Sequence, residues 1–370
     1  MKKGVYAGSF DPPTNGHLWM MGEGSKLFDE LTVAVGTNTQ KKYLFSVDER
    51  VDMLKRSVRS LPNVSVCSFE NQFLVKYAET IGADYILRGI RSEKDYDFER
   101  EMRYVNRDIN PRVETVFLIP PKRLTEVSSS LVKELVGPQR WENEVKKRVP
   151  TPVYKKFLER FDGNLSEWNS LWERIRANGN SKEIYGELKK LYSEPHREYH
   201  NMVHIDDCLE EFQKARHLAR NADEIETALW FHDSVYNTHR NDNEEKSAVL
   251  AEYILKNIGL PNPFVNKVKE LIMATKHDSV PIDNDERLVV DIDLSFLGKS
   301  PKVFKENGMN IREEFFWTPN EVYKQGRKKF LERFLDTGKR PSIYCTEFFK
   351  QRYESSAGKN LETSIKELSN

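Results

Sequence analysis

Two groups of residues in this sequence have the types and spacing that do chemistry. The first lies in GSFDPPTNGH, residues 8–17, where glycines, prolines, a threonine and a histidine separate a short apolar run from a helical one. A glycine directly after a strand lets the backbone turn tightly and approach a ligand. The helix that follows offers unpaired N–H groups and the positive end of its dipole. Phosphate suits such a place. His17, beside Gly16, can donate to a phosphate oxygen, and Thr14 can cap the helix or donate as well. Taken alone, the stretch can also be a turn whose histidine only packs or caps. Three further stretches add cations and hydroxyls: Lys41 and Lys42 in KKYLF, Arg88 and Arg91 in LRGIR, and Ser128, Ser129 and Ser130 in EVSSSLVKE. All fall at one edge of the expected sheet, and together they are the equipment for holding a triphosphate.

The second group is spread over the later part of the chain. EPHREYHNMVHIDD carries His196, His200 and His204, ALWFHDSVYN carries His232 and Asp233, and DIDLSFLG carries Asp291 and Asp293. Histidines and carboxylates brought from separate helices form a mixed nitrogen and oxygen site, which binds a divalent metal and leaves positions open for water and a phosphate oxygen. A buried His-Asp pair with no metal would leave the carboxylate in need of another cation or several donors. His200 and His204 lie one helical turn apart and compete for the same role. His204 is preferred because Cys208 and Leu209 follow it at the offset of a core-facing turn. His196, after a proline, reads as a structural or rim residue, and His217 and His239 as exposed. Asp291 reads as a residue behind the metal ligands or as a helix cap. His277, in ATKHD, faces either the site or solvent.

These residues need elements to position them. At 370 residues the chain is long enough for two domains, each with its own core. KGVYAG, LTVAVGTN, NVSVCSF, DYILRG and VETVFLIP read as strands. Helical segments stand between them, among them the Ser-capped SVDERVDMLKRSVRSL and a long charged helix from about Tyr96 to Arg107. Such alternation calls for an α/β doubly wound parallel sheet, with ligands at the carboxyl ends of the strands. From Leu165 onward the segments are long and helical, with only brief extended candidates such as RLVVDIDL, so this part reads as all-α. The boundary falls near residue 162, dividing the chain into 1–162 and 163–370. Lys and Arg number 58 and so do Asp and Glu, which argues against nucleic acid or a membrane surface as the main partner. Three widely spaced cysteines, Cys67, Cys208 and Cys345, fit a reducing compartment, and with no signal-like or membrane-length apolar run the expected location is the cytoplasm.

The segments GSFDPPTNGH, KKYLFSVDERVDML, LRGIRSEKDYDFEREMRYVNRDINP, VETVFLIP and VSSSLVKEL resemble, in order and spacing, those of the phosphopantetheine adenylyltransferases, in the TxGH nucleotidylyltransferase superfamily. The match covers roughly residues 1 to 160. That family transfers AMP from ATP to 4′-phosphopantetheine, giving dephospho-coenzyme A and pyrophosphate. The resemblance implies that Ser9 and His17 contact the reacting phosphates, Lys41 and Arg88 the phosphate of the acceptor, and Arg91 the phosphates of ATP. Gly8, Phe10, Glu99 and the turn Ser128, Ser129, Ser130 would line the ATP site, and Leu74 the pantetheine arm. It also implies in-line attack without a protein nucleophile, with His17, Lys41 and Arg91 stabilising charge, Mg2+ assisting pyrophosphate departure, and assembly into homo-oligomers, commonly hexamers. LTEV before the serines departs from the family's more aromatic stretch, and related enzymes use nicotinamide mononucleotide or glycerol phosphate as acceptor.

The later motifs YHNMVHI, FHDSVY, DNEEKSA, ATKHD and DIDLSFLG, followed by QGRKKFLERFL and AGKNLE, resemble a branch of the HD superfamily of metal-dependent phosphohydrolases, over roughly Leu165 to Glu362. By that resemblance His204, His232, Asp233 and Asp293 hold the metal, His200 and His277 reach substrate or a second metal, and Asn243 and Glu244 support the site. The chemistry implied is hydrolysis by a metal-activated water that Asp233 or an adjacent carboxylate orients, with Mn2+, Fe2+, Co2+ or Mg2+ all suited. A non-catalytic nucleotide-sensing role for this half is the alternative.

Overall fold

A computed structural model describes residues 1–37, 42–70, 72–137, 141–335 and 342–369. By internal compactness the chain divides into two units, Met1–Gly163 and Asn164–Asn370.

The first unit is built on five strands, β1 (Lys3–Gly8), β2 (Glu30–Thr37), β3 (Val64–Glu70), β4 (Tyr85–Gly89) and β5 (Glu114–Leu118), in the order β3-β2-β1-β4-β5. Every neighbouring pair is parallel, with Tyr6 opposite both Val33 and Leu87. Because β1 is central and covered on both sides, its four middle residues are all buried, which is why it reads as a continuous apolar run. Alternation then sorts them. Tyr6 joins Val33, Val35 and Leu87 on one face, under α1 (Asn15–Leu27) and α2 (Val47–Val58). Val5 and Ala7 join Ala34 and Ile86 on the other, under α3 (Leu74–Thr80). The strand order reverses between β1 and β4, so a crevice opens at the carboxyl ends of these two strands, at Gly8 and Gly89.

Gly4 shows how closely this sheet is packed. A Cβ there would lie 2.6 Å from Cδ2 of Phe28, whose ring is itself buried against Tyr85. Gly4→Ala is therefore expected to cost about 1–3 kcal/mol through overpacking, read as a lower midpoint in urea with an unchanged slope. An unshifted midpoint would show that the ring can move aside.

The charged helix α4 (Glu93–Ile109) is longer than its sequence pattern suggests, because Ser92 caps it by accepting from Asp95 N at 3.2 Å. The short helices α5 (Lys122–Thr125), α6 (Ser129–Glu134) and α7 (Trp141–Lys146) lead to α8 (Thr151–Arg160). Phe157 of α8 packs edge-on against Phe45, so this helix closes the first unit.

Among the described residues of the second unit the regular structure is helical, in α9 (Leu165–Arg174), α10 (Ser181–Tyr192), α11 (Met202–Ala215), α12 (Ala222–Phe231), α13 (Asn243–Asn257), α14 (Asn262–Ala274), α15 (Asn284–Asp293), α16 (Pro301–Glu314), α17 (Asn320–Glu332) and α18 (Glu347–Leu368), with two 3-10 turns. RLVVDIDL, expected as a candidate for extended structure, is helical, within α15 up to Asp293 and with Leu294 opening a 3-10 turn. Asp283 caps that helix, and Leu288 to Ile292 are all buried, so an apolar run that mimics a strand is a helix enclosed on every side. The same enclosure holds α12, whose residues Ile225 to Phe231 are all buried, with Trp230 edge-on to Trp168. Among the described residues no helix is long and apolar enough to cross a membrane.

Candidate functional site

The crevice at the end of β1 is a cavity of about 330 Å³, and its lining includes Gly8, Ser9, Phe10, His17, Arg88 and Arg91. Local sequence explains how His17 is presented. Thr14 caps α1, and its backbone N–H donates to His17 Nδ1 at 3.0 Å. A ring nitrogen that accepts carries no proton, so the neutral imidazole holds its hydrogen on Nε2, the atom left for a ligand. The ring packs edge-on against Phe10, which adopts a left-handed backbone (φ 48°) between His17 and Tyr6. Burial, and then the charge of Arg91, lower the His17 pKa to about 4.

That shift has a sign. The unfolded chain takes up a proton near pH 6.5 and the folded chain near 4, so the associated stability is complete above 6.5 and is lost as pH falls towards 4. An imidazole NMR titration of His17 is expected to show its midpoint near 4. A midpoint near 6.5 would mean that the ring is solvated and its proton unfixed.

Two residues that carried no signal in the sequence hold this turn in place. The buried Asp11 carboxylate accepts from Leu44 N and Phe45 N, each at 2.9 Å at its shorter distance, and pairs with Lys133 Nζ at 3.1 Å. Arg50, also buried, donates to Ser9 O at 2.6 Å and to Phe45 O at 3.1 Å, beneath the ring of Tyr43. Together they tie the segment after β2 to the turn after β1.

The expected cations divide. Arg88 is engaged bidentately by Glu99 and also donates to Ala7 O at 3.2 Å. Arg91 pairs with Asp95 at 3.1 Å. Ser128 caps α6, Ser129 donates to Pro12 O at 2.7 Å, and both line the cavity together with Ser130. Lys41 lies outside the described residues, and Lys42 is exposed. Leu74 packs with the apolar group on the Val5 face of the sheet. The carboxylates lining the cavity, Asp95 and Glu99, are both paired with arginines, so a Mg2+ ion here would be held by the phosphates of a nucleotide rather than by a protein cage.

The cytidylyltransferase-like family model matches residues 5–135, which contain these elements. Phosphopantetheine adenylyltransferase from Chromobacterium violaceum is 54% identical over 161 residues, 44% of this chain and 98% of that protein. The chain belongs to the phosphopantetheine adenylyltransferase family. The enzymes of that name from Neisseria meningitidis serogroup B and Lacticaseibacillus paracasei are 51% and 41% identical, over 92% and 89% of their lengths and 42% and 41% of this chain. A solved structure, the Plasmodium falciparum nicotinic acid mononucleotide adenylyltransferase complexed with NaAD, is similar at 15% identity and a TM-score of 0.35, over 43% of this chain and 96% of that one.

The second unit of this phosphopantetheine adenylyltransferase family member builds a cluster of its own. Helix α11 supplies His204, the end of α12 supplies His232 and Asp233, and the end of α15 supplies Asp293. His204 Nε2 lies 3.1 Å from His232 Nε2 and 3.1 Å from Asp293 Oδ1, and His232 Nε2 lies 3.1 Å from Asp233 Oδ2. His232 Nδ1 is 2.9 Å from Leu229 O, a bond in which the ring must donate, so Nε2 faces the cluster. Burial alone would depress His232, but Asp233 and then Asp293 outweigh it and raise its pKa to about 9. Two imidazole nitrogens and two carboxylates converging in a buried space fit a divalent cation. Cys208, an apolar anchor by its sequence, brings Sγ to 3.7 Å from His204 Nε2, and the donor atoms of His204, Cys208, His232 and Asp293 lie within 4.8 Å of one another, a group in which the thiol stands where Asp233 was expected.

The surrounding residues sort by contact. His277 lies 2.9 Å from the second oxygen of Asp293 and orients that carboxylate. His200 does not join the cluster: its Nδ1 is 2.6 Å from the buried Glu314, which also accepts from Tyr236 Oη at 3.1 Å. Burial would lower the His200 pKa, and Glu314 and Asp233 together raise it. Asn243 exchanges two hydrogen bonds with the backbone of Asn237, and Glu244 lines the adjoining cavity. Asp291 is a cap, accepting from Cys345 N and from both Thr346 N and Oγ1, each at 2.7 Å. His196 Nε2 lies 2.9 Å from Tyr236 O, and His217 and His239 are exposed. Glu314 and the buried Arg197, which donates to Asp233 O at 2.6 Å, carried no sequence signal.

Proposed function

We propose that the first unit transfers AMP from ATP to 4′-phosphopantetheine, giving dephospho-coenzyme A and pyrophosphate. The observation that carries this reading is one cavity lined by Ser9, His17, Arg88 and Arg91, in a unit 54% identical over 161 residues to an enzyme named for that reaction. The acceptor phosphate attacks the α-phosphorus in line, and pyrophosphate leaves. His17 donates from Nε2 to the charge that develops, Arg91 faces the phosphates of ATP, and Arg88 exchanges part of its pairing with Glu99 for the acceptor phosphate. Mg2+ carried by the nucleotide would neutralise the departing pyrophosphate. The test is an acceptor screen with labelled ATP. Label entering dephospho-coenzyme A supports the reading, and label entering only a nicotinamide dinucleotide overturns it.

For the second unit we infer a metal-dependent phosphohydrolase, with His204, His232, Asp233 and Asp293 as the donor set. The convergence of these four side chains supports it. A bound divalent metal would lower the pKa of a water and polarise a phosphate oxygen. His277 keeps Asp293 oriented, and Arg197 fixes the backbone that presents Asp233. Metal analysis with a phosphatase panel tests this: bound metal without turnover of any phosphate ester would favour a sensing role instead.

A further inference from the structure

The metal cluster opens into a cavity of about 510 Å³, within the range of small-molecule sites, roughly 300–1,000 Å³. Its polar end carries Asp233, Asp293, His200 and His277. Its other walls are rings, chiefly Tyr236, Phe315, Trp317, Tyr323 and Phe330. Two of these rings are set by neighbours. Tyr236 stacks on His200 at 4.0 Å, and Trp317 stacks on His239 at 3.9 Å while donating to Thr238 Oγ1.

Two cations also line this space, and they differ. Lys276 is neutralised by Glu245. Arg327, half-buried on α17, has no carboxylate and no hydrogen-bond partner among the described residues: its guanidinium lies over the edge of the wall at Phe330, 5.3 Å from the ring centroid. The ionisable groups close enough to act on it are the hydroxyls of Tyr323, Tyr199 and Tyr236. An arginine stays charged at all ordinary pH, and its planar fork matches the oxygens of a phosphate. A partly buried cation with no anion of its own, in the same cavity as a cluster suited to a metal, marks where an anionic ligand sits.

We propose that Arg327 receives the phosphate of a nucleotide-class substrate whose base lies against the ring wall of this cavity. Arg327 lies in QGRKKFLERFL, to which the metal site assigns no role. The inference rests on the phosphohydrolase reading only for what happens after binding. Aromatic faces accept a flat base, whereas a short aliphatic ester would leave them uncovered.

The test uses the full chain and GMP as probe, with inorganic phosphate and glycerol phosphate beside it. Binding is followed by calorimetry, and phosphate release with Mn2+ is followed separately. Arg327→Met leaves the first unit unaltered, so the difference from wild type isolates the second site. GMP affinity is expected to fall roughly 10- to 100-fold, with partial recovery in Arg327→Lys. Trp317→Ala is expected to weaken GMP and leave inorganic phosphate unchanged, and it decides the matter should Arg327→Met fail to fold. Equal GMP affinity in wild type and Arg327→Met overturns the proposal. So does glycerol phosphate binding as tightly as GMP, or release of phosphate from glycerol phosphate but not from GMP. GMP bound through Arg327 but never hydrolysed supports the ligand assignment, and the absence of turnover across the whole phosphate-ester panel then overturns the phosphohydrolase reading.

Discussion

Replacing His17 with alanine is expected to lower the turnover of adenylyl transfer by a factor of roughly 10² to 10³, with a much smaller change in the KM for ATP. The asymmetry follows from how the ring is held. Thr14 N–H fixes the hydrogen on Nε2 before any substrate arrives, so the donor needs no reorganisation as charge builds on the phosphate. A donor that matters most in the transition state shows itself in kcat. Alanine also removes half of the capping box at the start of α1, which costs about 1 kcal/mol of stability. His17→Gln separates the two effects, since a side-chain amide at that position can still accept from Thr14 N–H. The glutamine variant is expected to melt close to wild type and remain slow. If pyrophosphate release by His17→Gln matches wild type, the role of His17 is capping alone.

The sheet and its ligand edge were legible because their signals are local. A buried parallel strand announces itself as an apolar run, and a glycine with a Thr cap after it marks a strand-to-helix turn. Ser9, His17, Arg88, Arg91 and the serine turn reach one cavity because each sits at the carboxyl end of a parallel strand, in the loop beyond it or in the first turn of the helix that follows. What the sequence did not disclose acts at long range. Asp11 works on amides 33 and 34 residues away, Arg50 on a carbonyl 41 residues back, and Glu314 on a histidine 114 residues earlier. No periodicity or spacing encodes such pairs. The pairing of Arg88 with Glu99 was hidden for the same reason, since both were visible as site residues but not as partners. In the second unit, RLVVDIDL was ambiguous because a helix enclosed on all sides loses its amphipathic stripe. In the sequence Cys208 shows only its hydrophobic character, and it is the packing of α11 that brings its sulfur beside the cluster.

Cys208 makes the donor set a question with a definite answer, and Asp233 is the residue that decides it. On the proposed donor set, Asp233→Ala is expected to reduce bound divalent metal from near stoichiometric to near zero, because losing a direct ligand costs more than the 10- to 100-fold typical of a residue behind one. The phosphohydrolase turnover proposed for this unit should fall to the uncatalysed background in the same preparation. Distance alone does not choose: Asp233 Oδ2 stands 3.1 Å from His232 Nε2 and 3.6 Å from His204 Nε2, while Cys208 Sγ stands 3.7 Å from His204 Nε2 and belongs with His204, His232 and Asp293 to one group of mutually close donors. What favours the carboxylate is charge, since burial and then Asp293 push the Cys208 thiol up, away from the thiolate a metal needs. Cys208→Ala is accordingly expected to keep its metal. Removing Asp233 also strips His232 of its nearest anion in a buried site, so some loss of stability will accompany the loss of metal. Asp233→Asn, which keeps the shape and removes the charge, tells the two apart, and metal content measured on folded protein is the readout. Retention of metal in both Asp233 variants with loss in Cys208→Ala would replace the two-histidine, two-carboxylate set with His204, Cys208, His232 and Asp293. A thiolate ligand shifts the preference towards zinc and away from Mg2+, so the same pair of substitutions bears on the metal as well as on the ligand.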